Sequence, residues 1–187
     1  MFGKYKYTDS EEKELLDSIV ILIDTREKVN DHITEYFDRF KIPYKKKALK
    51  NGDYSFFVPK NEKLGIFRDT YFNDEIFVER KASLEELSGN FSAKRADFEE
   101  ELAVAKAKKK YLLIENANYE DIVNGNYNTQ YNKKSYLGSI HSFNHKYNER
   151  NRKMEKIRDK DLITVNSIEE DNIAFYFYHI ITASKNL

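Results

Sequence analysis

The chain has 187 residues, 32 of them Lys or Arg and 32 Asp or Glu, with no cysteine. That length is enough for one α/β core and little more, and the lack of cysteine excludes disulfides, thiolate zinc sites and a cysteine nucleophile, so any metal must sit on oxygen or histidine. The charges cancel, no apolar run approaches the roughly 18 residues of a membrane span, and the N-terminus MFGKYKYTDSEEKELLDS carries neither a signal-peptide core nor a cleavage motif, so a soluble, cytoplasmic protein is expected.

Residues 1–16 are expected to be a helical N-terminal extension, with Glu11 and Glu12 suited to a first helical turn, and residues 17–187 a single domain. DSIVILID (17–24) is too short for a helix and rich in β-branched residues, which predicts a buried strand ending at Asp24. NDHITEYFDRF (30–40) starts on a capping Asn30, sets Ile33, Phe37 and Phe40 on one stripe, and is followed by Pro43. PYKKKALK, GDYSFFVP and DEIFVERK then read as strands, with PKNEKLG and the segment around Arg68–Asp74 as turns. Short connections predict an antiparallel meander for the first three strands. A helix over about 93–109 aligns Phe98, Leu102 and Ala105, and KYLLIE (110–115) reads as another buried strand. Helices near 118–124 and 133–149 follow, the second carrying Tyr136, Ile140, Phe143 and Tyr147. A strand around Leu162–Val165 and a last helix after Glu169 complete the chain. Such alternation predicts an α/β fold: a central mixed sheet flanked by helices.

Charge is unevenly spread. HKYNERNRKMEKIRDK (145–160) carries seven Lys or Arg against three acids, and Lys45, Lys46, Lys47 and Lys50 cluster just before Gly52-Asp53. The segment AFYFYHII (174–181) is apolar almost all round, which suits a deeply buried helix or a subunit interface. There is no Gly-x-Ser-x-Gly elbow and no Gly-rich phosphate loop, so ATP use is not expected. His141 and His145 are four apart but lack a third ligand.

The stretch FVERKASLEEL (77–87) ends an apolar strand on three consecutive charges and then runs into the start of a helix. Glu-x-Lys also occurs at Glu11/Lys13, but Glu79/Lys81 lies downstream of two other acidic strand boundaries, Asp24 and Asp53. Three carboxylates at one point repel, by roughly 4 kcal/mol per pair about 4 Å apart at an effective dielectric near 20. A hard cation such as Mg²⁺ relieves this by taking oxygen ligands from one or two carboxylates and completing its shell with water and substrate phosphate. Lys81 faces the same way as Glu79, whereas strand alternation sends Arg80 to the other side.

GDYSF (52–56), a spacer, and VERKASLEEL (78–87) resemble the Gly-Asp…Glu-Arg-Lys signature of the xeroderma pigmentosum group F (XPF) structure-specific endonucleases, a branch of the restriction-endonuclease-like nucleases. IDTRE (23–27) resembles that family's first-strand Asp-x-Arg-Glu, and LSGNFSAKRADFEEEL (87–102) its following helix, with Arg95 on the active-site side. The likeness extends over roughly residues 19–185. It implies a restriction-endonuclease-like fold and a Mg²⁺-dependent DNA endonuclease in which Mn²⁺ substitutes. Asp53 and Glu79 are then the principal ligands, Asp24 and Glu27 direct or water-mediated ones, and Lys81 assists the attacking water. Arg80, Arg26 and Glu85 take supporting roles. The family's dimeric habit implies a homodimer, built here from segment 136–147 and the final helix.

Three features depart from the family pattern. Glu85 stands where an Asp is common, the spacer between Asp53 and Glu79 is 25 residues, and no tandem helix-hairpin-helix module follows. DNA affinity is therefore expected from Lys45, Lys46, Lys47, Lys94, Arg95 and the 145–160 stretch, with Tyr71 and Phe72 of the long spacer stacking on an unpaired base of branched or flapped DNA. An inactive DNA-binding subunit is the alternative; degraded partners in the resembled family usually lose the Glu-Arg-Lys charges, which this chain keeps.

Overall fold

The computed structural model describes residues 6–104, 107 and 109–149, the side chains of 104 and 143–149 excepted. They fall into two compact units, one ending at Asn73 and the other beginning at Asp74. The expected strand at Leu162–Val165, the helix after Glu169, the residues of the basic stretch beyond 149, and Ala105 lie outside the described residues. No described helix is long and apolar enough to cross a membrane.

In the first unit, helix α1 (Asp9–Asp17) begins with a reciprocal cap. The Thr8 hydroxyl accepts from the Glu11 N–H, and the Glu11 carboxylate accepts from the Thr8 N–H. Strand β1 (Val20–Ile23) leads into helix α2 (Asp31–Arg39) and strand β2 (Tyr44–Lys46). The meander expected here is not formed: β1 and β2 are parallel, with Leu22 opposite Lys45 and Ile23 opposite Lys46. Between them α2 carries the chain back to its starting end, and a strand that follows such a crossover pairs in parallel. Strand β3 (Tyr54–Val58) is antiparallel to β1, with Val20 opposite Phe57. A two-residue strand missed in the sequence, β4 (Thr70–Tyr71), pairs antiparallel with β3. Two residues are too few to show an alternation.

Ile33 and Phe37 of α2 are fully buried, whereas Phe40, placed on the same stripe by periodicity, is 55% exposed and stacks on Tyr36 at 4.3 Å. Phe40 follows the last helical residue, where the 3.6-residue period no longer applies. Asn30 occupies the N-cap position, but its side chain makes no capping bond; Nδ2 donates instead to the Tyr54 hydroxyl at 3.2 Å.

In the second unit, strands β5 (Ile76–Lys81) and β6 (Lys109–Ile114) are parallel, with Lys81 opposite Ile114. The crossover holds two helices: α3 (Leu84–Phe91), at the helix start expected after Lys81, and α4 (Arg95–Val104), within the expected 93–109. Ser83 caps α3 by accepting from the Glu86 N–H, and the Ser92 hydroxyl closes it by donating to the Ser88 carbonyl. Helix α5 (Tyr119–Asn124) has an Asn118/Asp121 capping box and stops at Gly125, whose φ of 78° lies in the left-handed region. Helix α6 (Lys133–Glu149) follows. Phe77, Leu87, Phe91, Phe98, Ile114, Ile122, Tyr136 and Ile140 form one apolar cluster. The class is α/β, with strands of mixed direction and helices in the connections.

Candidate active site

Strand β5 ends on three charges that are almost completely buried: Glu79 and Lys81 are each 7% exposed and Arg80 is little more. Isolated ions cannot be kept in such a place, so each must be paired. Alternation sets Glu79 and Lys81 on one side of the strand, where Lys81 Nζ donates to Glu79 Oε1 at 2.7 Å. On the opposite side Arg80 grips Glu115, Nε donating to Oε1 at 2.8 Å and Nη2 to Oε2 at 2.5 Å. This two-point fork is the strong geometry for a guanidinium and a carboxylate. The Glu115 N–H also donates to the Lys81 carbonyl at 2.9 Å, so Glu115 locks the end of β5 to the chain leaving β6. Sequence reasoning passed over Glu115. Its signal was an acid closing the apolar strand KYLLIE, whose partner can be identified only when the register is known.

The two pairs differ in electrostatic setting. Burial, the largest influence, pushes the Glu79 carboxyl above its usual range; Lys81 opposes this, and the neighbouring Glu101 and Glu86 add to it. Glu86 Oε1 lies 3.9 Å from Lys81 Nζ, and the Phe98 ring centroid is 5.3 Å from that ammonium. Glu79 thus shares its ammonium with Glu86, and its carboxylate is a hard oxygen donor of the kind a divalent cation takes. Among the described residues no three His, Asp or Glu side chains form a ready-made metal cluster.

Glu85 stands apart from this pair. Its Oε1 accepts the Asn128 N–H at 2.7 Å, and that bond, its own N–H and the Ser83 hydroxyl hold its pKa below the usual range. Arg95 spans α4 and α6: Nε donates to Glu99 Oε1 at 2.8 Å and Nη1 to Ser139 Oγ at 3.0 Å. Lys94 is exposed just before α4.

In the first unit, the left-handed Gly52 (φ 67°) precedes Asp53, whose carbonyl accepts the Asp24 N–H at 2.7 Å, so the end of β1 adjoins the start of β3. Asp53 is partly exposed. The Glu27 N–H donates to the Asp24 carbonyl at 3.1 Å. Asp24 is buried, and its carboxylate is heavily engaged: Oδ1 accepts from the Arg26 N–H and Nε, each at 2.7 Å, and Oδ2 from the Leu49 N–H at 2.6 Å. Burial opposes its charged form most strongly, but the bonds from Arg26 and the backbone outweigh it and lower the pKa. Asp24 therefore pins the 47–50 loop, and Arg26 Nη2 reinforces it by donating to the Leu49 carbonyl at 3.2 Å.

Because the folded pKa is lowered, Asp24 stabilises the fold fully above its unfolded value of about 3.9, and the contribution is lost as pH falls through the folded value. Asp24→Asn should cost about 2–3 kcal/mol at neutral pH, the worth of charge-assisted hydrogen bonds at a buried acceptor, and this difference should shrink in acid. Urea denaturation at pH 7 and pH 3 checks both.

Lys45 and Lys46 are exposed on β2, and Lys47 is half-buried just beyond it. Tyr71 is 40% exposed. Phe72, expected beside it as a stacking residue, is only 8% exposed and packs on Phe56 at 4.7 Å. Consecutive strand residues point to opposite faces, so a β4 that presents Tyr71 outward must turn Phe72 into the core.

Residues 23–160 match the family model of the ERCC4 domain. The solved structure "XPF from Aeropyrum pernix" is 17% identical, with a TM-score of 0.56 over 90% of this chain and 62% of that one. "XPF from Aeropyrum pernix, complex with DNA" is 16% identical, with a TM-score of 0.54 over 90% of this chain and 66% of that one. The present chain thus spans less than two thirds of either structure's length. The likeness is one of fold, the restriction-endonuclease-like α/β fold. No curated protein matches.

Proposed function

The chain belongs to the ERCC4 domain family, and from that membership we propose that it is a divalent-metal-dependent DNA endonuclease that prefers branched or flapped DNA. The observation that carries the reading is the buried Glu79–Lys81 pair at the end of β5, inside the matched region. Burial disfavours the ionised Glu79, and the neighbouring Glu101 and Glu86 add to that; a buried carboxyl perturbed in this way beside a lysine is what a metal-assisted hydrolytic site uses. Glu79 and Asp53 are the proposed metal-holding side chains, Mg²⁺ the proposed ion and Mn²⁺ its substitute. Asp24 and Glu27, whose backbones already meet, are the further proposed ligands, direct or through water. When bound, the ion lowers the pKa of a coordinated water and neutralises charge on the phosphoryl group. Lys81, fixed by Glu79, is set to donate to the attacking water or a phosphate oxygen as a point charge. Arg80 and Glu115 keep the strand end rigid beneath it, and Arg95, through Ser139 and Glu99, braces the helix behind it.

DNA as substrate rests on the family, on the DNA complex of a similar structure, and on Lys45, Lys46 and Lys47, which no acid pairs among the described residues. Such phosphate contacts position a duplex without reading sequence and weaken with salt. Lys94, Arg95 and the basic stretch 145–160 are the remaining candidate contacts, the last on sequence grounds alone, as is a homodimer formed through segment 136–147 and the final helix. A panel of flaps, forks, four-way junctions, plain duplex and single strands in Mg²⁺ tests the substrate. Faster cutting of the branched members is expected. Equal rates on plain duplex and flap refute the branch preference, and binding without any cutting favours the inactive-subunit alternative.

A further inference from the structure

The 25-residue spacer between Asp53 and Glu79 is a built element. Asn61 pairs with Ile66 through both backbone bonds, Tyr7 donates to the Leu64 carbonyl at 2.9 Å, Asn61 Nδ2 donates to Glu14 at 3.0 Å, and Leu64 and Ile66 are buried. From this base β4 holds Tyr71 against Phe57, ring centroids 4.9 Å apart and planes 17° from parallel. Register puts Val20, Leu22, Lys45, Phe57 and Tyr71 on one side of the strands. Over that side folds the 47–50 loop, with Leu49 packed on Leu22 and Phe57 and pinned from both its N–H and its carbonyl by Asp24 and Arg26. The consequence is that Lys47 Nζ sits 3.7 Å from the centroid of the Tyr71 ring.

We propose that Tyr71 and Lys47 form a clamp for one unpaired nucleotide of a DNA strand, with the base stacking on Tyr71 and the ammonium moving from the ring to the adjoining phosphate. This deepens the nuclease reading and rests on it. The tyrosine ring is backed by Phe57 and so already oriented, which spares the ordering entropy that a free aromatic loses on binding. An ammonium on a partly exposed ring is held more weakly than a base stacks on one, and in the exchange Lys47 gains a full negative charge. Lys45, exposed on the same side, offers a second phosphate contact. Phe67 makes a contrast: it is 68% exposed but has no ring or cation partner among the described residues, so nothing holds it ready.

The test is binding, without divalent cation so that no strand is cut, of a flap whose first unpaired base is 2-aminopurine and of plain duplex of the same sequence. The parent should quench the 2-aminopurine. Tyr71→Ala should remove the quenching and weaken flap binding about tenfold, with less than a twofold change on duplex. Tyr71→Phe keeps the ring and should stay within twofold of the parent, as should Phe67→Ala. Lys47→Ala should lower the slope of log affinity against log salt by about one. The clamp is overturned if the parent leaves 2-aminopurine unquenched, if Tyr71→Ala binds the flap like the parent, or if flap and duplex weaken equally. Should Tyr71→Ala fail to fold, parental quenching and the Lys47→Ala slope decide. A parent that binds neither DNA sinks the nuclease reading along with the clamp; a parent that binds while Tyr71→Ala matches it sinks the clamp alone.

Discussion

Glu79→Gln will lower the rate of DNA cleavage in Mg²⁺ by at least about a hundredfold, with DNA affinity nearly kept. A glutamine occupies the same volume and can still hydrogen-bond Lys81, but it brings no charge to a cation and leaves the ammonium less firmly fixed. Loss of one preorganised charge-stabilising group typically costs two to three orders of magnitude in rate. Some stability should be lost as well, because the buried Lys81 keeps only Glu86, at 3.9 Å, as a counter-ion. Lys81→Ala should lose rate to a similar extent. Single-turnover cleavage of a labelled flap, beside a thermal melt of each variant, separates chemistry from folding.

Glu115→Ala will do the reverse, with its primary effect on the fold. It strands the buried Arg80 guanidinium without its fork and removes the side chain that ties β5 to the chain leaving β6. Breaking one partner of a buried pair costs about 3–5 kcal/mol, which for a chain of this size lowers the melting midpoint by on the order of 10 °C. Replacing both partners by apolar residues, Arg80→Met with Glu115→Leu, should recover most of that loss, since the pair's large desolvation cost disappears with it. Differential scanning calorimetry of the single and double variants is the check. A single variant melting within about 1 °C of the parent would show that the fork contributes nothing.

What the sequence made legible followed from period and chemistry. The strand ending at Lys81, the helix over 30–40 and the α/β class are readable because short apolar runs and a 3.6-residue recurrence are separated by turn residues. Opposite faces for Glu79 and Arg80 followed from alternation alone. Pairing direction was not readable. The β1–β2 parallel pair depends on α2 acting as a crossover, and its nine residues gave no local sign of which way the next strand would run. Two helix starts were readable after β5, but the end of α3 was not, because Ser92, Ala93 and Lys94 interrupt the chain without Gly or Pro. Glu115 and the Lys47–Tyr71 contact were invisible for a common reason. Each joins residues more than twenty positions apart, and neither has a spacing rule. Asp24 shows the opposite risk, because a motif marked its position while its oxygens proved to be committed to Arg26 and Leu49.

Whether Glu79 and Lys81 serve metal-dependent phosphodiester hydrolysis is read from the cleavage rate of one flapped DNA by the parent and by Glu79→Gln, each in Mg²⁺ and in excess chelator. The parent should cut in Mg²⁺, stop in chelator and recover when Mg²⁺ or Mn²⁺ is restored, and Glu79→Gln in Mg²⁺ should be at least about a hundredfold slower. Undiminished cutting by the parent in chelator, or a parental rate from Glu79→Gln in Mg²⁺, would refute that role.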